Sequence, residues 1–170
     1  MVRRDVREHV TDSNHAKTLP QRVFQEILNE GRLEVADEIV APDYRLHSPS
    51  RPEPFEGPEG FKQFVASLRH GFPDLKVTVD QVIAEGDIVS IRSHVTGTHL
   101  GRYRGIPPTG RKIAQTQLHM FRVADGHIQE AWHEIDGLGI MQQLKIFPAG
   151  NPPALLLRLV IAVQKLARIR

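Results

Sequence analysis

The chain has 170 residues, enough for one domain with a sizeable core and too few for two ordinary ones. Its 40% hydrophobic and 25% charged residues are those of a soluble globular protein, and a net charge of +2 is too small to mark a nucleic-acid binder. With no cysteine, disulfides, thiolate nucleophiles and Cys-ligated metals are excluded, a composition that suits the cytoplasm.

Residues 1–17 carry scattered charge without an apolar period and read as a mobile arm; no apolar segment of a signal peptide follows the arginines. A helical pattern begins near Pro20, with Val23, Phe24, Ile27 and Leu28 at helical spacing and Gly31 as its stop. A second short helix covers Leu33, Ala36, Ile39 and Val40. Tyr44 to His47 is a short extended piece, and Ser48 to Gly60 a Pro/Gly-rich loop. A third helix places Phe61, Phe64, Val65 and Leu68 on one face and ends at Gly71.

From Leu75 the period becomes alternating. One strand includes Val77, Val79, Val82 and Ile83. A second, Ile88 to Thr98, has Arg92, His94 and Thr96 on one face and Ile91, Ser93 and Val95 on the other. Lys112 to Val123 and His127 to Ile135 supply two more. Helices first and a four-stranded antiparallel meander after them predict an α+β fold, in which a curved sheet wraps the helices and leaves an open-ended cone. Residues 147–153, with three prolines and a glycine, read as a linker. An amphipathic helix from Ala154 to Arg170 follows, too short and too charged to span a bilayer. Its basic face leaves peripheral membrane contact as a minor possibility beside packing on the parent domain or a twin subunit.

The connection Gly97 to Lys112 is more elaborate than a hairpin requires. Its glycines permit unusual backbone angles and Pro107-Pro108 stiffens it, which suits the rim of a ligand pocket. Titratable groups crowd the two strands beyond it.

These features resemble the SnoaL-like polyketide cyclases of the NTF2-like superfamily. The resemblance rests on Gly97-Thr98-His99, Gly105-Ile106-Pro107-Pro108-Thr109-Gly110, the run Phe121 to Ile128, Glu130-Ala131-Trp132 and the run Asp136 to Leu144. It implies an NTF2-like cone over residues 18–146. It also implies intramolecular aldol cyclisation by an acidic residue and a histidine, with neither metal nor organic cofactor. His119 occupies the strand on which the cyclases keep their histidine. The family's aspartate directly after the tryptophan is absent, because that position is His133.

His119 is therefore the expected base or base-orienter, against the plainer reading of a hydrogen-bonded core histidine. His133 is either a changed catalyst or an outward-facing strand residue. Asp136 and Glu134 are the nearby carboxylates, which equally well cap the sheet end or pair with a surface arginine. Trp132 and Phe121 are the expected apolar walls, and Gln117, His47, Tyr44 and Arg92 complete the substrate-binding set; Arg92 would hold a carboxylate or polarise a carbonyl if its strand face lines the cone. The histidines show no metal-ligand spacing, and no HExxH, GxGxxG, Walker or GxSxG motif occurs. The expectation is an enzyme performing acid–base chemistry next to the carbonyl of a small hydrophobic ligand, built as a homodimer and binding no nucleic acid. The alternative is a non-catalytic binding or interaction module on the same scaffold.

Overall fold

The computed structural model describes residues 13–49 and 51–148, with side chains given for 17–49 and 53–148. Most of the expected arm, the greater part of the linker and the whole of the helix expected over Ala154 to Arg170 lie outside the described residues.

The first helix, α1 (Ser13–Arg22), begins before Pro20 rather than at it. Pro20 sits inside α1, where it has no N–H for the carbonyl of residue 16. The chain then continues as a π-helical segment, Val23–Asn29, which buries Val23, Phe24, Ile27 and Leu28 as their spacing predicts. Gly31 ends it with φ +76°. Two devices fasten this segment to the sheet and to the next long helix. The Asn29 amide exchanges two hydrogen bonds with the Val77 backbone, at 2.9 and 2.7 Å. Arg69 donates to the carbonyls of Leu28 and Asn29 at the end of the segment, at 2.6 and 3.2 Å.

After α2 (Val35–Ile39) come β1 (Val40–Ser48), β2 (Arg51–Glu56) and α3 (Gly57–Gly71), then β3 (Lys76–Glu85), β4 (Ile88–Thr98), β5 (Lys112–Ala124), β6 (His127–Ile135) and α4 (Gly137–Gln143). The sheet has six strands in the order β2-β1-β6-β5-β4-β3. The expected antiparallel meander forms the β3–β6 half of it. At the other edge, the extended piece expected over Tyr44 to His47 is part of β1, and the stretch expected as a loop from Ser48 contains β2, antiparallel to β1. β1 in turn runs parallel to β6, pairing Leu46 with Ala131 and His47 with Trp132. Prolines at 52 and 54 mask a strand in sequence, yet an edge strand tolerates them because one side of its ladder is unpaired.

Alternation along β4, β5 and β6 separates two faces. Ile91, Ser93, Val95, His119, Phe121, Ala131 and His133 are buried, whereas Arg92, His94, Leu118, Met120 and Glu134 are exposed. The inner face packs on the π-helical segment, α1 and α3, with Phe24, Ile27, Tyr44, Val65 and Phe72 at the centre of the core. Burial of this inner layer is the main force that curves the sheet around its helices.

Candidate functional site

The loop between β4 and β5 forms the rim of the cone, as its sequence suggests. The backbone N–H groups of Leu100 and Gly101 both donate to the Gly71 carbonyl at the end of α3, at 3.0 and 3.1 Å. Gly101 runs so close to α3 that a Cβ there would collide with the His70 carbonyl oxygen. Beyond this clamp, Tyr103 and Ile106 exchange backbone hydrogen bonds of 3.1 and 2.8 Å. The two residues between them, Arg104 and Gly105, have φ +50° and +81°, the two-positive-φ pattern of a type I′ turn. Tyr103 is buried against Phe72 and His99, while Arg104 lies at the exposed tip with its guanidinium carbon 5.3 Å from the Tyr103 ring centre.

Under this rim lies a cavity walled by apolar side chains such as Phe24, Phe61, Phe64 and Phe121. Its polar lining comprises Gln115, Gln117 and His119 from β5, His133 from β6, Tyr44 from β1, and Tyr103 and Arg104 from the rim. No Asp or Glu lines it among the described residues. Tyr44 is 1% exposed, and burial raises its phenol far above the usual range, so it stays neutral.

The imidazoles of His119 and His133, directly paired across β5 and β6, are stacked with centroids 4.5 Å apart and planes 15° from parallel. Phe24 meets the His119 ring edge-on at 4.9 Å, and Phe64 meets His133 edge-on at 6.0 Å. His119 Nε2 lies within hydrogen-bond distance, 3.2 Å, of the Gln117 side-chain Oε1. Burial, reinforced by neighbouring His133, holds His119 well below the ordinary imidazole range. Burial also pushes His133 down to about 4, with the Arg104 charge adding to the effect. Both rings are therefore neutral at pH 7. Among the described residues, His133 Nε2 and Gln115 Oε1 are buried without a hydrogen-bond partner, and both residues line the cavity. A polar atom buried at such a cost is normally completed by a ligand or water.

Residues 18–144 match the SnoaL-like polyketide cyclase family. The chain belongs to the SnoaL-like polyketide cyclases. It is 32% identical over 118 residues to nogalonic acid methyl ester cyclase of Streptomyces nogalater, covering 68% of this chain and 87% of that one. It is 30% identical over 143 residues to aklanonic acid methyl ester cyclase DauD of Streptomyces sp. (strain C5), covering 82% of this chain and 78% of that one. Among solved structures, a SnoaL-like protein from Jannaschia sp. CCS1 superposes with a TM-score of 0.75 at 29% identity, over 84% of this chain and 99% of its own. TsrD from Streptomyces laurentii superposes with a TM-score of 0.70 at 28% identity, over 79% and 97%. The α+β cone expected from the sequence is thus the fold of this family.

Of the residues singled out in sequence, this SnoaL-like chain brings His119, His133, Gln117, Phe121 and Tyr44 together at the cavity. The others lie elsewhere. Glu134 is exposed on the outer face, one residue out of phase with His133. Asp136 caps α4, accepting from the Gly139 N–H at 2.8 Å. Trp132 is also on the outer face, where its ring stacks on His47 at 5.6 Å; His47 in turn meets Glu130 at 2.8 Å. These two are therefore neither a cavity wall nor a mouth residue. Arg92 lies outside as well, 3.8 Å from Asp80. One cause underlies these corrections: a strand presents alternate residues to opposite faces, and the face that holds His133 excludes its neighbours. Conversely, the reading of His133 as an outward residue is overturned. Gln115, Tyr103 and Arg104 line the cavity without being among the residues that the sequence singles out. The phase of His119 on β5 would have found Gln115, and the Arg104-Gly105 turn would have marked the rim residues.

Proposed function

We propose that this chain is an enzyme of the polyketide cyclase kind that closes a ring in a hydrophobic polycarbonyl compound by an intramolecular aldol reaction. The stacked His119–His133 pair, neutral and with no carboxylate in the cavity lining among the described residues, is the observation that carries this reading.

In the proposed step a basic imidazole nitrogen of His133 takes a proton from the carbon between two carbonyl groups. The C–H electron pair becomes the enolate. Its carbon then attacks a second carbonyl carbon of the same molecule, forming the new C–C bond while the π pair moves to oxygen. The imidazolium returns its proton to that alkoxide, so the molecular formula is unchanged and the base is regenerated. Burial makes His133 a weak base. A developing enolate beside it favours the charged ring and offsets part of that penalty. His119, fixed by Gln117, orients His133 by stacking, and the apolar walls exclude water from the enolate.

The test uses aklanonic and nogalonic acid methyl esters, the compounds named for the relatives' activities, in D₂O. Two readouts are followed: deuterium entry at the acidic carbon and ring closure to an isomer of unchanged formula. Deuterium entry that disappears in His133→Ala supports the proposed base. Binding with neither exchange nor closure would leave a small-molecule binding module instead.

We also propose that the chain pairs with a second copy through the outer sheet face. Leu118 and Met120 are 59% and 43% exposed there. Arg122 and Glu130, 3.9 Å apart, and the exposed Arg92 and Glu134 give that face both charge signs, which suits an isologous contact. Sedimentation velocity should find a dimer, and a monomer for Leu118→Glu. No helix among the described residues is long and apolar enough to cross a membrane.

A further inference from the structure

Along β5 the inner face carries Ile113, Gln115, Gln117 and His119 at alternate positions, and all four line the cavity. Their polar atoms are not equally provided for. The Gln117 Oε1 lies within hydrogen-bond distance of His119 Nε2, at 3.2 Å. The Gln115 Oε1 is buried and has no hydrogen-bond partner among the described residues. Four residues of extended chain separate Gln115 from His119, about 13 Å along the strand. Since β5 leaves the rim loop at Lys112, Gln115 belongs to the rim end of the cavity, away from the histidine pair.

The surroundings offer this amide little. Val95, its partner on β4, and Ile113, two residues before it, are buried and apolar. The backbone beneath is fixed, because the neighbouring Ala114 N–H donates to the Gln143 side-chain Oε1 at 2.7 Å and ties the start of β5 to α4. A positioned strand therefore presents an unpaired amide oxygen in an apolar cavity. Taking an amide out of water without giving it a hydrogen bond costs stability. Methionine, of nearly the same shape, would avoid that cost. The penalty is offset when something that enters the cavity supplies the missing partner.

We propose that Gln115 is a specificity-determining residue, which positions the substrate by accepting a hydrogen bond from a hydroxyl group at the end remote from the reacting carbon. This rests on the cyclase reading above and adds to it the group by which the substrate is recognised. An unpaired carbonyl oxygen needs a donor, which a hydroxyl offers and a ketone does not. A hydroxyl also remains a partner if the amide turns over, since it accepts from the NH₂ as readily as it donates to the oxygen. With one end of an elongated molecule held at Gln115, the other end is left to meet the histidines in a single orientation. A compound lacking the hydroxyl leaves the amide unpaired in the complex as well, and is discriminated against. Gln115 acts on recognition and takes no part in the proton transfer.

The experiment compares two neutral probes of nearly equal shape, 2-(hydroxymethyl)anthraquinone and 2-ethylanthraquinone, by equilibrium dialysis against the full-length chain. The quantity read is the ratio of their dissociation constants, so the greater hydrophobicity of the ethyl group cancels when a variant is compared with the wild type. Gln115→Met keeps the length of the side chain and removes its polar atoms. It should shift the ratio about tenfold toward the ethyl compound, the scale of one hydrogen bond to a buried group. Thr116→Val, at the adjacent residue on the exposed face, should leave the ratio unchanged. Urea unfolding without ligand should find Gln115→Met at least as stable as the wild type, because an unpaired amide has been removed. A Gln115→Met protein of lowered stability would show an amide already satisfied within the chain, and overturns the proposal. So does a ratio that Gln115→Met leaves unmoved, as when an ordered water completes the amide. A ratio moved by His133→Leu and not by Gln115→Met would put the hydroxyl at the histidines and overturns it too. Each of these leaves the cyclase reading standing. Failure of both probes to bind overturns the proposal together with the cavity reading.

Discussion

His119 and His133 face each other as parallel imidazoles with centroids 4.5 Å apart, in a chamber lined by no carboxylate among the described residues. Two cations at that separation repel strongly, so the pair holds at most one proton over the ordinary pH range. The working form is neutral, and its loss sets the acid limb of activity. Deuterium exchange into the substrate should stay level from about pH 8 down to about pH 5 and fall as His133 titrates at about 4. An acid limb near 6.5, the value of an unperturbed histidine, would contradict the burial seen here.

Replacing the proposed base should be costly, and the type of replacement matters. His133→Ala should lower turnover by roughly 10²–10⁴-fold, the usual range for general-base removal. His133→Asp restores the acid the family resemblance expects after the tryptophan, and sets it beside His119. It should recover much of the lost rate and raise the His119 titration by supplying a counter-charge. The ring proton signals of His119, followed by NMR against pH in this variant, report that rise directly.

The fold was readable because its evidence is local and periodic. Val23, Phe24, Ile27 and Leu28 announce a buried helical face, and the alternation from Val77 to Ile135 announces the meander. Loop, resemblance and His119 together pointed to the cavity. What stayed hidden depends on pairing across the chain. β1 docks parallel to β6, and nothing near Tyr44 or Trp132 in sequence states that His47 will meet Trp132. The phase of β6 was equally hidden. The run from Glu130 to Asp136 offers polar or aromatic groups on both faces, and tertiary burial alone turns His133 inward. Proximity in sequence therefore groups Glu134, Asp136 and Trp132 with His133, although the fold places them away from the cavity; it gives no sign of Arg104, which lines the cavity from a different loop.

Buried neutral histidines also tie stability to pH. His119 and His133 both bind protons less readily in the folded chain than in the unfolded one, where imidazole titrates near 6.5. Below about pH 6.5 the unfolded state takes up more protons, so stability falls as pH falls, by about 1.4 kcal/mol per pH unit for each such ring. Above that window these groups contribute no slope. For His133 the loss continues until the folded ring titrates at about 4. Urea unfolding between pH 4.5 and 7.5 should show this fall for the wild type, and His133→Leu should reduce the slope by about one proton's worth.

The rim's attachment to α3 is the last element that the site requires, and Gly101 is its weak point. Any side chain there drives a Cβ into the His70 carbonyl oxygen, a backbone atom that cannot swing aside. Either the loop lifts or the end of α3 shifts, and in both cases the two hydrogen bonds onto the Gly71 carbonyl weaken. Gly101→Ala should therefore cost about 1–3 kcal/mol in urea unfolding, the scale of forced overpacking. Because Tyr103 and Arg104 follow on the same loop, the variant should also loosen ligand binding at conditions where it remains folded. Gly105→Ala separates the two causes. A Cβ at Gly105 meets nothing within 4 Å, although its φ of +81° disfavours any side chain, so this change strains the turn without touching α3. It should cost about 1 kcal/mol, as loss of a glycine at positive φ usually does. A Gly101→Ala protein as stable as the wild type, with unaltered ligand affinity, would mean that the loop does not press on α3 as described.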